Sequence, residues 1–201
     1  MTQRICYWLL YKVMGWKKDV TIDLPEKGII CLAPHTSNWD FVIGQLYAKA
    51  EKIQTNYLMK KEWFVWPLGH LFKKWGGIPV YRKKHTSMTE TLTETARQAH
   101  HFVLCITPEG TRSANPDWKK GFYYIALGAQ IPILLYALDY EQKTIRCTKA
   151  LVPTGDFEQE MRLIKQYFKD THNRRHHCLY RRTPVTVLCR RPLRLLPTED
   201  Q

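Results

Sequence analysis

Short apolar runs alternate with longer amphipathic stretches over the first 140 residues, and this alternation constrains the fold more than any other feature. GIICLA (28–33) and FVLCIT (102–107) are too short for helices and read as buried strands. Three further runs have the same character: IQTNYLM (53–59), GGIPVYR (76–82) and IPILLYAL (131–138). Strands separated by helices predict an α/β fold with a largely parallel central sheet flanked by helices.

The helical pattern and the chain's composition predict one domain over residues 1–201. Four stretches have helical patterning: 38–51, 87–100, 119–129 and 156–170. A last strand is predicted at VTVLC (185–189), after a basic tract, and no internal repeat or linker is evident. The six cysteines form no CxxC pair, so we expect reduced core residues rather than a disulfide framework.

Residues 1–18 form a predicted amphipathic helix with basic residues around it. Its apolar positions recur at helical spacing: Ile5, Trp8, Leu9, Val13 and Trp16. One interpretation is a helix in the headgroup layer of a membrane, and the other is a helix packed on its own core. No apolar run reaches the roughly 20 residues of a membrane span, so we predict peripheral binding at the cytoplasmic face.

The charge balance points to an anionic partner. Lys and Arg number 31 against 18 Asp and Glu, which gives a formal net charge of +13. Such a surface attracts either anionic lipid headgroups or nucleic acid. The seven Trp and eleven Tyr are compatible with both, since these rings favour membrane interfaces and also stack on bases.

The segment APHTSNWDF has the strongest catalytic signal. His35 follows a predicted strand, and Asp40 lies five residues later. The two side chains can meet only if His35 is in the loop and Asp40 is in the first helical turn, because five helical residues would separate them by about 140°. A carboxylate on one ring nitrogen fixes the tautomer, which leaves the other nitrogen free to act as a general base.

Two weaker interpretations remain open for this segment. Ser37 and Asp40 have the spacing of a capping box, so Asp40 could serve only to cap backbone N–H groups. Ser37 could also be a nucleophile, but no G-x-S-x-G elbow surrounds it. His172, His176, His177 and Cys178 fit no zinc pattern and lie among arginines, so we predict no metal site.

Two later strand ends supply cationic groups. ITPEGTRS (106–113) follows one predicted strand, and Arg112 within it can hold phosphate with two parallel hydrogen bonds. Arg82 follows another predicted strand. Open α/β sheets place their binding crevices at such carboxyl ends. Taken alone, the 106–113 segment is better explained as a strand-end turn with a surface arginine, and Arg82 in isolation is an ordinary arginine at a strand end.

HTSNWD, GGIPVYR, PEGTRS and the Pro-containing IPILLYAL, in this order, resemble the four blocks of the glycerolipid acyltransferase family, over about residues 28–140. The first and third blocks are the specific pair. The chain departs from many members at Pro34, which precedes the histidine, and at Thr107, which precedes PEGTR. The family includes the 1-acylglycerol-3-phosphate acyltransferases.

The resemblance implies that His35 is the base and Asp40 its partner. It further implies that the acceptor's phosphate and the acyl donor are bound by Arg82, Glu109, Gly110, Thr111, Arg112, Lys119, Lys120 and Pro132. The expected reaction moves a fatty acyl group from acyl-ACP or acyl-CoA to a lyso-lipid hydroxyl, without a further cofactor. A lyso-aminolipid or other acceptor without phosphate is an alternative.

Two other functions are compatible with parts of the sequence. A basic nucleic-acid-binding module would explain the charge, but it leaves HTSNWD and PEGTRS unexplained, and no known module motif is present. A thioesterase could use the same histidine and aspartate to activate water. We therefore expect a lyso-lipid acceptor, an acyl thioester donor and an anionic membrane surface as partners, and no nucleic acid.

Overall fold

An eight-stranded sheet lies at the centre of the computed structural model, which describes residues 2–66, 68–80, 85–111 and 115–173. The strands are β1 (Lys17–Val20), β2 (Lys27–Leu32), β3 (Asn56–Lys60), β4 (Gly77–Val80), β5 (Phe102–Ile106), β6 (Ile133–Asp139), β7 (Thr144–Cys147) and β8 (Ala150–Leu151). The helices are α1 (Gln3–Tyr7), α2 (Trp39–Ala50), α3 (Leu68–Lys74), α4 (His85–Gln98), α5 (Gly121–Ala129) and α6 (Phe157–Asn173). A π-helical segment, Trp8–Val13, continues α1, and a 3-10 turn, Lys61–Trp63, follows β3.

The sheet confirms the predicted α/β fold. Its central strands, in the order β6-β2-β5-β3-β4, are parallel to one another. Beyond β6 the sheet continues through β7, which is antiparallel to β6, to β1 at the edge. All five parallel strands therefore end at the same edge of the sheet, which we call the carboxyl edge.

Alternating side chains of the strands build a core on each face of the sheet. In β2, Ile29 and Cys31 point to a core shared with α4, α5 and α6, whereas Ile30 points to a core shared with α1 and α2. This alternation is the two-residue period of a strand, and burial on both faces explains the continuous apolar runs in the sequence. The helices on both faces fix the loops of the carboxyl edge in place.

The N-terminal helix has two environments rather than the single apolar face that the sequence predicted. Cys6 and Leu10 are fully buried against α2. Trp16 is also buried. Ile5, Trp8 and Val13, which the sequence placed on the same apolar face as Trp16, are instead exposed to solvent. The residues that anchor the helix to the core therefore differ from the apolar residues that it presents outward.

Further expectations can be compared with the described part of the chain. Cys6, Cys31, Cys105 and Cys147 are unbridged, and Cys105 is the one of these that is only partly buried. No helix among the described residues is long and apolar enough to cross a membrane. The predicted strand at 185–189, the basic tract, Cys178 and Cys189 lie outside the described residues.

Candidate active site

His35 and Asp40 meet at the carboxyl edge, in the loop that joins β2 to α2. His35 lies in the loop, and Asp40 is the second residue of α2. The Nδ1 atom of His35 is 2.8 Å from Oδ2 of Asp40. Ser37 helps to start the helix, since its hydroxyl accepts a hydrogen bond of 3.0 Å from the N–H of Trp39. The sequence predicted that the two side chains could meet only if His35 lay in the loop and Asp40 in the first helical turn, and both conditions hold.

The carboxylate of Asp40 accepts hydrogen bonds from four donors. Besides the imidazole, Oδ2 accepts from the backbone N–H groups of Thr36 and Ser37, at 2.8 and 3.1 Å. Oδ1 accepts from the hydroxyl of Tyr140, which lies 100 residues further along the chain. Asp40 thus caps the backbone N–H groups of the loop, which is the first interpretation of this residue, and also holds the imidazole of His35, which is the second. One side chain makes both sets of contacts.

The surroundings of Asp40 keep it ionised. Burial opposes its charge, but the hydrogen bonds from His35, Tyr140, Ser37 and Thr36 outweigh burial and lower its pKa. An ionised carboxylate can only accept hydrogen bonds, so the Nδ1 atom of His35 is the protonated nitrogen when the ring is neutral. The Nε2 atom, which has no hydrogen-bond partner among the described residues, then carries a lone pair. The imidazole remains 19% exposed, so a substrate hydroxyl can reach it.

Glu109 joins the site from the turn after β5. Its Oε2 atom accepts a hydrogen bond of 3.2 Å from the backbone N–H of His35. The side chain of Glu109 is buried, and burial raises its pKa. The nearby charge of Asp40 raises this pKa further. The hydrogen bond from the His35 N–H and the charge of His35 lower it in part, but the net shift is upward. Glu109 therefore supports the His35 backbone, although the resemblance had grouped it with residues that bind or position the acceptor.

Glu109→Gln is expected to stabilise the protein at pH 7. The amide oxygen can still accept from the His35 N–H, while the cost of burying a charge disappears. Because the folded pKa is raised, this cost is absent below the ordinary value of 4.5 and grows as pH rises above it. We expect the Tm at pH 7 to rise by roughly 2 °C, as about 1 kcal/mol would produce in a chain of this size.

Thermal unfolding followed by circular dichroism at pH 7 and near pH 4.5 would test this expectation. The difference between Glu109→Gln and the wild type should narrow as the pH approaches 4.5. A variant that is less stable than the wild type at pH 7 would show that the ionised carboxylate stabilises the loop, contrary to the sign argued from burial.

Gly110 and Lys119 lie together beside Glu109. Gly110 has a φ of +64°, a backbone conformation that favours glycine in this turn. A Cβ atom at Gly110 would lie 3.4 Å from Cγ of Lys119, so the lysine chain runs along the turn. The backbone N–H of Lys119 also donates to the carbonyl of Pro108 at 2.7 Å. The structure therefore brings one of the predicted cations to the turn that holds Glu109.

Four of the five remaining predicted residues fall into three groups. Thr111 is exposed in the turn that follows Gly110. Lys120 directs its ammonium to the ring of Phe157, 4.8 Å from the centroid, and so faces the start of α6. Arg82 and Arg112 lie outside the described residues, and their predicted roles stay predictions.

Pro132 does not lie with the other predicted residues. It precedes β6, and its carbonyl accepts a hydrogen bond of 2.8 Å from the N–H of Ile29 near the start of β2. His35 follows the other end of β2, six residues further on, which corresponds to roughly 20 Å along a strand. The resemblance places Pro132 on the acyl or thioester side of the site, and that role stays a prediction.

Tyr140 is the site residue that sequence reasoning missed. It follows β6 directly, and its ring packs edge-on against Trp16, with centroids 5.4 Å apart. Its hydroxyl donates to Asp40, and burial together with this hydrogen bond raises the pKa of the phenol. Within the described part of the chain, no group of three or more His, Cys, Asp or Glu side chains is arranged to hold a metal ion.

Comparison with known proteins agrees with the resemblance seen in the motifs. A model of the acyltransferase family matches residues 18–137, which is more than half of the chain and includes His35, Asp40 and Glu109. The crystal structure of the 1-acyl-sn-glycerophosphate (LPA) acyltransferase PlsC from Thermotoga maritima is similar in fold, with a TM-score of 0.61 and 12% sequence identity. The match covers 87% of this chain and 80% of that chain. A search of curated proteins gave no match.

Proposed function

The chain belongs to the acyltransferase family, and on this premise we propose that it transfers a fatty acyl group from a thioester to the hydroxyl of a lyso-lipid such as 1-acylglycerol-3-phosphate. The observation that carries the proposal is the hydrogen bond between His35 and Asp40. The donor is acyl-ACP or acyl-CoA. The similarity in fold to a protein described as a 1-acyl-sn-glycerophosphate acyltransferase supports the choice of acceptor class.

In the proposed mechanism, the acyl group moves directly from donor to acceptor. The Nε2 atom of His35 takes the proton of the acceptor hydroxyl while the oxygen attacks the thioester carbonyl. The tetrahedral intermediate collapses, the carbon–sulfur bond breaks, and the thiolate leaves with the proton that the imidazolium returns. Asp40 stabilises the imidazolium during this sequence, and Glu109 holds the backbone of His35.

Positive charge at the carboxyl edge supports a phosphorylated acceptor. Lys119 lies beside the turn that contains Glu109 and Gly110. In the sequence, Arg82 comes two residues after β4 and Arg112 comes six residues after β5. A phosphate matches these groups better than a neutral headgroup does, since arginine forms paired hydrogen bonds with phosphate oxygens. We propose that these three residues bind the headgroup of the acceptor.

Incubation with a panel of lyso-lipids and labelled acyl-ACP or acyl-CoA, with products identified by mass, tests the proposal. A new ester on 1-acylglycerol-3-phosphate is the expected product. Ester formed only on lyso-lipids without phosphate would refute the proposed role of the cations while keeping the reaction. Free fatty acid without any lipid ester would instead indicate a thioesterase.

We also propose that the N-terminal helix binds an anionic membrane surface through its outward apolar residues. Replacing Ile5 and Trp8 together by serine should weaken binding to anionic vesicles without lowering Tm, because both side chains are exposed. Leu10→Ser is the matched control, since Leu10 is fully buried and its replacement should lower Tm. Vesicle co-sedimentation and thermal unfolding measure the two effects. A loss of Tm in the Ile5/Trp8 variant would point to a role in folding instead.

A further inference from the structure

Large apolar side chains are exposed on two segments of the carboxyl edge. The loop after β3 exposes Trp63 by 53%, Val65 by 58% and Trp66 by 85%. The first turn of α2 exposes Trp39 by 59% and Val42 by 39%. Exposed tryptophans are uncommon on proteins that have no partner for them, because their rings gain much free energy from leaving water. We call these five residues the aromatic rim.

The sheet topology places the aromatic rim beside His35. The strands β2, β5 and β3 are parallel neighbours, so the loops after β2 and after β3 leave the sheet at the same edge. Two strand spacings separate β2 from β3, which is roughly 10 Å. Trp39 is the residue directly before Asp40, and Phe41 packs edge-on against Tyr57 of β3, with centroids 4.9 Å apart. The aromatic rim therefore flanks the mouth of the candidate site.

Charge and residue type identify the occupant of this surface as a lipid bilayer. Tryptophan favours the membrane–water interface, where its apolar ring body and its polar N–H both find suited surroundings. The segment 60–75 carries four lysines and one glutamate, and the whole chain has a net charge of +13, which favours anionic headgroups. A nucleic acid strand would match the charge, but it would leave Val42 and Val65 exposed without apolar contacts.

We infer that the aromatic rim inserts into the membrane surface and brings the candidate site to the headgroup layer. A lyso-lipid acceptor then needs to move its hydroxyl only from the headgroup layer to His35, while its acyl chain stays in the bilayer. This inference rests on the proposed function for the identity of the acceptor. The membrane contact itself is a property of the surface and does not depend on the reaction.

The double variant Trp63→Ser/Trp66→Ser tests the inference. Binding to mixed phosphatidylcholine and phosphatidylglycerol vesicles, measured by co-sedimentation without acyl donor, should weaken about tenfold or more when two exposed rings are removed. Acyl transfer to an acceptor embedded in these vesicles should fall by a similar factor. Transfer to a short-chain lyso-lipid that is monomeric in water should stay within about twofold of wild type, since both tryptophan side chains are more than half exposed to solvent.

Leu163→Ser is the matched control, because Leu163 is also an exposed apolar residue. It belongs to α6, which packs on the face of the sheet opposite to α2. Its replacement should leave vesicle binding unchanged. Unaltered vesicle binding by the tryptophan variant would overturn the inference, as would equal losses of activity with the embedded and the soluble acceptor. A wild-type protein that binds vesicles through the aromatic rim but acylates no lyso-lipid would refute the proposed function and leave the inference standing.

Discussion

His35→Ala is expected to lower kcat by about 100-fold or more while the protein stays folded. The loss follows from the proposed mechanism, because no other side chain among the described residues takes the position of Nε2 beside the ionised Asp40. The fold should survive, since the imidazole is partly exposed and Asp40 keeps its hydrogen bonds with Thr36, Ser37 and Tyr140. Initial rates at saturating donor and acceptor measure the effect.

The control for this variant is His101→Ala. His101 is exposed and directly precedes β5, so it lies at the edge of the sheet opposite to His35. Its replacement should change kcat by less than about twofold. Circular dichroism and Tm should be alike for the two variants. A folded His35→Ala protein with more than a tenth of wild-type activity would refute the assignment of His35 as the base.

The central part of the fold and the contact between His35 and Asp40 could be predicted because both depend on local patterns. A buried parallel strand is apolar on both faces, so β2 and β5 stand out as continuous runs. The histidine and the aspartate are five residues apart, and a strand-to-helix turn is enough to bring them together. Neither inference required knowledge of distant contacts.

The edge strands could not be predicted in this way. β1 has the sequence KKDV, whose charged residues give no apolar alternation. It is held by parallel pairing with β7 and by the ion pair between Arg146 and Asp19, with Nε and Oδ2 2.8 Å apart. β7 itself has four residues and follows a turn with a positive φ at Lys143. Short edge strands depend on partners far away in the sequence, which a local window does not contain.

Tyr140 and Trp16 show the same limit at the site. Trp16 was assigned to the same apolar helix face as Ile5 and Trp8, with a membrane and a core environment both left open; it is buried and packs on Tyr140. Tyr140 in turn reaches Asp40 across 100 residues of sequence. No spacing rule relates these three residues, because only the order of the strands brings the end of β6 next to the start of α2. The sequence could therefore identify the two central residues of the site but not the hydrogen bond that the phenol adds.

Asp40→Asn is also expected to lower kcat strongly, by about 10³-fold. An amide has the shape of the carboxylate but only one acceptor oxygen, and its NH₂ group would face donors. Four donors converge on Asp40 in the wild type, so the variant cannot satisfy all of them. The imidazole would lose the fixed tautomer and the charge that stabilises its protonated form.

Asp40→Asn should also be less stable than the wild type at neutral pH, because the pKa of Asp40 is lowered in the folded protein. Because the folded pKa of Asp40 lies below its ordinary value of 3.8, the ionised group stabilises the folded state above that pH. This stabilisation is lost as the pH falls through the folded pKa. The difference in Tm between Asp40→Asn and wild type should therefore be largest near pH 7 and shrink as the pH falls below 3.8.

Tyr140→Phe separates the charge of Asp40 from its hydrogen bonds. The phenylalanine ring keeps the packing on Trp16 and removes only the donor to Oδ1, so Asp40 stays ionised with three donors. We expect a loss in kcat of roughly tenfold, with KM for the donor unchanged, because the phenol acts through Asp40 rather than on substrate. If Asp40→Asn costs no more than Tyr140→Phe, the carboxylate only orders the loop, and the imidazole must be activated without it.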